Sequence, residues 1–203
     1  MYHFFVDPSA IGEGKVKITG ADLNHMKNVL RMRIGEDVWI SDGSEKEYHC
    51  TIEEFQEDSA VLHILYAQES QYELPSRIYL FQGLPKGDKM ELIVQKAVEL
   101  GAVAIQPVAA ERSVLKLSGD RADKRRAHWQ QIAVSACEQS GRNRVPEVAE
   151  ILPLAKYLAQ DFAGTRMILA PGAEGALARK PRPAGPVAIL IGRSEEHTSE
   201  LQS

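Results

Sequence analysis

Two short runs constrain this chain more than anything else in it. The run 167–170 and the run 187–191 contain no polar side chain. A strand without a polar face needs cover on both sides, as interior strands of a parallel sheet have. Parallel neighbours require long crossovers, and the chain supplies helical patterns at the right places from Pro75 onward. "RIYLFQGL" predicts a strand. "DKMELIVQKAVELG" predicts a helix with Asp88 as N-cap, Met90, Ile93, Val94 and Ala97 on one face, and Gly101 as the C-terminal cap. "AVAIQPV" is the next strand, and a long helix over residues 122–139 spaces Trp129, Ile132, Ala133, Ala136 and Cys137 as one buried stripe. This half is therefore α/β, and ligands of such sheets bind beyond the carboxyl ends of the strands.

The first seventy residues follow a different rule. "YHFFV", "KVKIT", "VWISDG", "YHCTIEEF" and "SAVLHILY" read as short strands, with a turn at Asp42-Gly43. One helix, "GADLNHMKNVLR", interrupts them and puts Leu23, Met26, Val29 and Leu30 on a single face. So many short strands around one helix predict a small barrel, which protects its own edges. The fold class expected is thus α+β: a barrel over residues 1–70, the polar linker "AQESQYELPS", then an α/β domain over 76–192.

Several chemistries are excluded or disfavoured. "GLPKGDK" follows a strand and precedes a helix, but it lacks the GxxxxGK[ST] spacing of a phosphate loop, and "GEGKVK" lacks the third glycine of a dinucleotide fingerprint. Cys50 and Cys137 stand alone and six histidines are scattered singly, which signals neither a disulfide framework nor a metal site. No apolar run approaches a membrane span and no signal-peptide pattern opens the chain, so a cytoplasmic protein is expected, with no membrane partner.

Charge is unevenly placed. Residues 112–144 carry Arg112, Lys116, Arg121, Lys124, Arg125, Arg126, Arg142 and Arg144 against three acids, a net +5 in a chain whose total is −4. Such a basic segment on an acidic protein suits either a solvated helix face or an anionic polymer whose counterions are released on binding. "SACEQSGRNR" closes the long helix with a glutamate, a glutamine and two arginines. Gly141 and the arginines make an ordinary helix end, but the same groups can hold a base and its phosphate.

The stretches "GLPKGDKMELIVQKAVELGAVAIQPVAAERSVLKL", His128-Trp129-Gln130, "ACEQSGRNRVPEV" and "AILIG" together resemble the 16S rRNA uracil-N3 methyltransferases of the RsmE type, in the SPOUT superfamily of knotted methyltransferases. "HMKNVLRMRIGEDVWISDG" resembles that family's PUA-like, RNA-contacting barrel. The resemblance implies a homodimer that uses S-adenosylmethionine to methylate uridine 1498 of 16S rRNA in the small ribosomal subunit. It implies that Arg142 holds the uracil or its phosphate and that Glu138 orients this arginine or assists proton removal. It further implies that Arg31, Arg33, Arg112, Lys116, Arg125, Arg126 and Arg144 contact RNA, while Leu169, Ala170, Pro171, Ile191 and Gly192 border the cofactor. Two other readings compete, a non-catalytic RNA-binding protein and an α/β nucleotide enzyme unrelated to RNA.

The chain departs from the family pattern after Gly192, where Arg193 stands in place of the proline of a PEGG-type loop. "RSEEHTSELQS" resembles the translated start of a sequencing-library adapter, so residues 193–203 are expected to be a non-native tail on a chain broken before the knot. On that expectation the 203-residue chain binds S-adenosylmethionine weakly or not at all, is inactive, and exposes apolar surface near "VAILI".

Overall fold

The computed structural model describes residues 2–44, 46–70, 72–109, 119–169, 183 and 185–192. It divides into two compact units, Met1–Glu73 with Cys137–Val145, and Leu74–Ala136 with Pro146–Ser203. The non-native tail expected at 193–203 lies outside the described residues.

The first unit is built from β1 (Tyr2–Phe5), β2 (Ile11–Gly12), β3 (Lys15–Thr19), α1 (Gly20–Asn24), β4 (Asp37–Ser41), β5 (Lys46–Phe55) and β6 (Ser59–Glu69). Its six strands run in the order β1-β4-β5-β6-β3-β2, with β1 parallel to β4 and the other pairs antiparallel. The alternation read from sequence is the alternation of the pleat: Val16, Ile18, Val38, Ile40, Cys50, Ile52, Ala60 and Leu62 all point into one core with Phe4 and Met26. Two register shifts between β5 and β6, at His49/Cys50 and Ile52/Glu54, add local twist and help so few strands curl around that core. The Asp42-Gly43 turn is present, with Gly43 at φ 79° and the Ser44 amide donating to Asp42 Oδ1 at 2.9 Å.

The interrupting helix differs from its prediction. After Asn24 the backbone changes to a π turn over His25–Val29, where the Leu30 amide reaches back five residues to the His25 carbonyl at 2.9 Å. The wider turn rotates the stripe, so Leu23 and Met26 stay buried while Val29 swings out to 65% exposure. The linker is also shorter and less free than its composition suggests. β6 runs on through Glu69, and Glu73 is tied to Arg142.

The second unit contains β7 (Ile78–Gly83), α2 (Lys89–Glu99), β8 (Ala102–Ala109), α3 (Asp120–Ser140), β9 (Glu147–Val148), β10 (Leu152–Pro153), α4 (Leu154–Ala159), β11 (Thr165–Leu169) and β12 (Val187–Ile191). The sheet is wholly parallel in the order β10-β8-β7-β12-β11, with β9 also pairing β8. The chain builds outward from β7 through β8 to β10, then returns to place β11 beyond β12. The strand order therefore reverses beside β7, the kind of switch point where α/β sheets bind ligands.

α2 buries Met90, Val94 and Ala97 as its spacing predicts, and Ile93 is half-buried. Asp88 stands at the N-cap position, but its side chain makes no capping bond. The Glu91 amide goes instead to the Asp88 backbone carbonyl at 3.1 Å. Gly101 ends the helix at φ 93°, a conformation that favours glycine, and the Leu74 side chain fills the space a β-carbon would need. α3 buries Trp129, Ala133, Ala136 and Cys137. The Gln130 amide fastens α3 to the following segment by donating to the Pro146 carbonyl at 3.1 Å and accepting from the Val148 amide at 2.8 Å.

The two apolar runs that open the argument turn out differently from each other. β12 is interior, with Val187, Ala188 and Leu190 buried, and Leu190 packs with Val108 and Tyr157. The apolar surface expected near "VAILI" is thus absent from most of β12 itself and present on the strand beside it. β11 pairs with β12 alone among the described strands, and Ile168 and Leu169 are 45% and 42% exposed. An edge strand has only one hydrogen-bonded neighbour to shield it, so an apolar sequence alone did not place it inside.

Candidate functional site

Three of the residues assigned to a cofactor come together at the carboxyl edge of the second sheet. Parallel pairing sets Leu169 opposite Ile191 and Ile191 opposite Gln82, so β11, β12 and β7 end in one row, and Gly192 follows directly. Gln82 is buried in that row, and its amide donates to the Gly83 carbonyl at 2.9 Å. Glycines at the ends of β7 and β12 let a ligand approach backbone groups closely. The set fits a nucleoside-bearing group held mainly by main chain and apolar walls. Ala170 and Pro171, the other two residues assigned there, lie outside the described residues.

The segment after α3 is organised by Arg142. Gly141 takes φ 71°, and the Arg142 amide closes the helix by donating to the Cys137 carbonyl at 3.2 Å. The guanidinium then forms a two-point ion pair with Glu73, Nε to Oε1 at 3.2 Å and Nη2 to Oε2 at 2.6 Å. Arg142 is only 2% exposed. This pair ties the segment 137–145 to Glu73 within the first unit. Arginine suits the task because its planar fork matches a carboxylate and stays charged when buried. Asn143 is buried beside it and donates to the Ser44 carbonyl at 2.6 Å, leaving its Oδ1 without a hydrogen bond.

Glu138 faces a cleft of about 420 Å³ in the first unit, lined by Tyr2, His3, Phe4, His25, Leu30, Glu138 and Gln139. Partial burial raises the Glu138 carboxyl above its ordinary range, and the neighbouring Asp22 carboxylate adds to the rise, while His25 opposes it. Asp22 is itself raised by burial and lowered by His25. His3 is held neutral, lowered to about 4 by burial, and its Nε2 is engaged with Ser41 Oγ at 2.7 Å. The cleft thus combines ring walls with the Glu138 carboxyl and the Gln139 amide.

The basic residues are distributed over both units. Arg31 and Arg33 are exposed on the turn after the π helix, where Arg31 adopts φ 53°. Arg125 and Arg126 are half-exposed on the first part of α3, beside the exposed Arg121 and Lys124. Arg144 is half-buried, and its carbonyl accepts from Cys137 Sγ at 3.4 Å. Arg112 and Lys116 lie outside the described residues. Among the described residues no group of histidine, cysteine or acidic side chains could hold a metal, and no helix is long and apolar enough to cross a membrane.

Sequence reasoning missed Glu73, Asn143, Gln82 and Gln130. Glu73 sits in a polar stretch that reads as linker, and nothing in the local pattern ties it to an arginine 69 positions away. Gln130 did stand in a quoted motif, and its role is to brace α3.

Comparison with known proteins converges with these features. Residues 72–195 match a family described as an RNA methyltransferase domain, and residues 18–65 match an RNA methyltransferase PUA domain. The chain is 40% identical over 147 residues to ribosomal RNA small subunit methyltransferase E of Bacillus subtilis (strain 168), covering 71% of this chain and 57% of that protein. It is 34% identical over 157 residues to the protein of that name from Synechocystis, covering 77% and 50%. The chain thus spans about half the length of these curated relatives. A crystal structure of ribosomal RNA small subunit methyltransferase E from Neisseria gonorrhoeae, bound to S-adenosyl methionine, superposes with a TM-score of 0.86 at 33% identity, over 100% of this chain and 84% of that one. With a PUA-like barrel followed by a parallel α/β methyltransferase domain, and relatives matched across both, the chain belongs to the ribosomal RNA small subunit methyltransferase E family.

Proposed function

We propose that the protein transfers a methyl group from S-adenosylmethionine to N3 of uridine 1498 in 16S rRNA of the small ribosomal subunit, acting in the cytoplasm as a homodimer. The observation that carries this reading is the row of Leu169, Ile191 and Gln82 at the carboxyl ends of three parallel strands, in a chain whose relative of known structure holds S-adenosyl methionine. The donor supplies an electrophilic methyl on a sulfonium, so the chain's own task is to bind, orient and exclude water. Leu169, Ile191 and Gly192 wall the donor. Arg31, Arg33, Arg125 and Arg126 neutralise RNA phosphates, a sequence-independent contribution that positions the strand. Arg142, through Glu73, holds the segment that carries Glu138 and Arg144.

The test is to disrupt the gene in its host and map N3 methylation along 16S rRNA by reverse-transcription stops. Loss of the stop at uridine 1498 is the result expected. A stop that persists at full strength overturns the assignment.

A further inference from the structure

The cleft around Glu138 has a lining of recognisable chemistry. The rings of Tyr2, Phe4 and His25 supply flat apolar wall, with Phe4 and His25 edge-to-face at 6.1 Å between centroids. Tyr2 is 48% exposed and so offers a ring face at the mouth. The volume of about 420 Å³ exceeds that of a single nucleobase. The polar groups are Glu138, with Asp22 close enough to perturb it, and the exposed amide of Gln139. His3 Nε2 is occupied by Ser41. The Glu138 carboxyl at the wall, with Asp22 reinforcing it and His25 opposing it, disfavours a phosphate here, so a base edge enters and the backbone stays outside.

Among the four bases, only guanine fits a carboxylate with both oxygens. Its N1–H and N2–H are adjacent donors at the spacing of the two carboxylate oxygens, the bidentate geometry that makes such pairs strong. Uracil flanks its single N3–H with two carbonyl acceptors. Cytosine and adenine set a ring acceptor beside their amino group, so each would bring a lone pair against the second oxygen. Gln139 can donate to guanine O6 and complete the edge.

We propose that this cleft is a binding site for one unpaired guanine of the RNA substrate, with Glu138 accepting from N1–H and N2–H, Gln139 donating to O6, and Tyr2 stacking on the ring. The inference rests on the RNA-modifying reading above and adds to it a specific contact with a base other than the uracil that is methylated. It also gives Glu138 a role distinct from taking a proton from uracil.

The test measures binding of the full chain to a short uridine-rich oligoribonucleotide with one central guanosine, and to the same strand with inosine there, across a range of salt. Inosine lacks only the N2 amino group. Loss of one arm of the pair is expected to weaken binding about tenfold. Glu138→Gln is expected to bind both strands equally, and Gln139→Ala to keep the preference with lower affinity. Equal binding of both strands by the unaltered chain, with affinity still falling as salt rises, overturns the guanine site and leaves the RNA reading intact. Binding of neither strand at any salt counts against the RNA reading itself and the site with it. A Glu138→Gln protein that keeps the guanosine preference also overturns the proposal.

Discussion

Arg142 shows how much one buried pair organises. Its two bonds to Glu73 join positions 69 apart, with Arg142 buried and Glu73 partly exposed. Removing the carboxylate leaves a buried guanidinium without its two-point ion pair: Glu73→Gln is predicted to destabilise the protein by about 3 kcal/mol in urea unfolding, while Glu73→Leu with Arg142→Met regains most of that loss. If Glu73→Gln leaves the urea midpoint in place, the pair is not what fixes the segment. The second residue-scale consequence concerns pH. His3 is neutral in the folded chain because burial lowers it to about 4 from 6.5. The unfolded chain therefore binds the extra proton first as pH falls, and stability contributed by His3 is lost from about pH 6.5 down to about pH 4. Asp22 and Glu138, both raised, act in the opposite direction. Urea midpoints at pH 7 and pH 4.5 should therefore fall further for the natural protein than for His3→Asn, by about 2–3 kcal/mol. Equal falls would mean that His3 titrates normally.

At the scale of elements, legibility followed periodicity. α2 and α3 were readable because their apolar residues recur at helical spacing over at least three turns, and β3 to β6 because inward and outward residues alternate. The π turn was not readable, since a single wider turn leaves no compositional mark and merely shifts which residue of the stripe points out. That shift has a measurable consequence: Met26→Ala is predicted to cost about 2–5 kcal/mol, and Val29→Ser less than about 0.5 kcal/mol. Comparable costs would restore the regular helix. β11 was misread for a related reason. A run of apolar residues reports what a strand tolerates, whereas its exposure depends on how many neighbours the sheet order gives it.

For the molecule as a whole, the two-part architecture was legible from the change of pattern at Pro75, and the family from motif combinations. The site was legible only in part. Leu169 and Ile191 lie at strand ends, where parallel sheets present their carboxyl edges to ligands. The Arg142–Glu73 pair was not legible, because sequence shows a charge without showing a partner 69 positions away. RNA affinity should depend on the exposed cations. Replacing Arg125 and Arg126 by alanine is predicted to weaken binding to all single-stranded RNAs alike and to reduce the slope of log affinity against log salt by about 1.4. An unchanged slope would remove α3 from the RNA interface.

Methyl transfer to one nucleoside can be followed directly. Small subunits from a host lacking the gene, incubated with the protein purified from its native host and S-adenosylmethionine tritiated in the methyl group, should yield tritium in 3-methyluridine on nucleoside digestion. Tritium in any other nucleoside, or in none, would contradict the account.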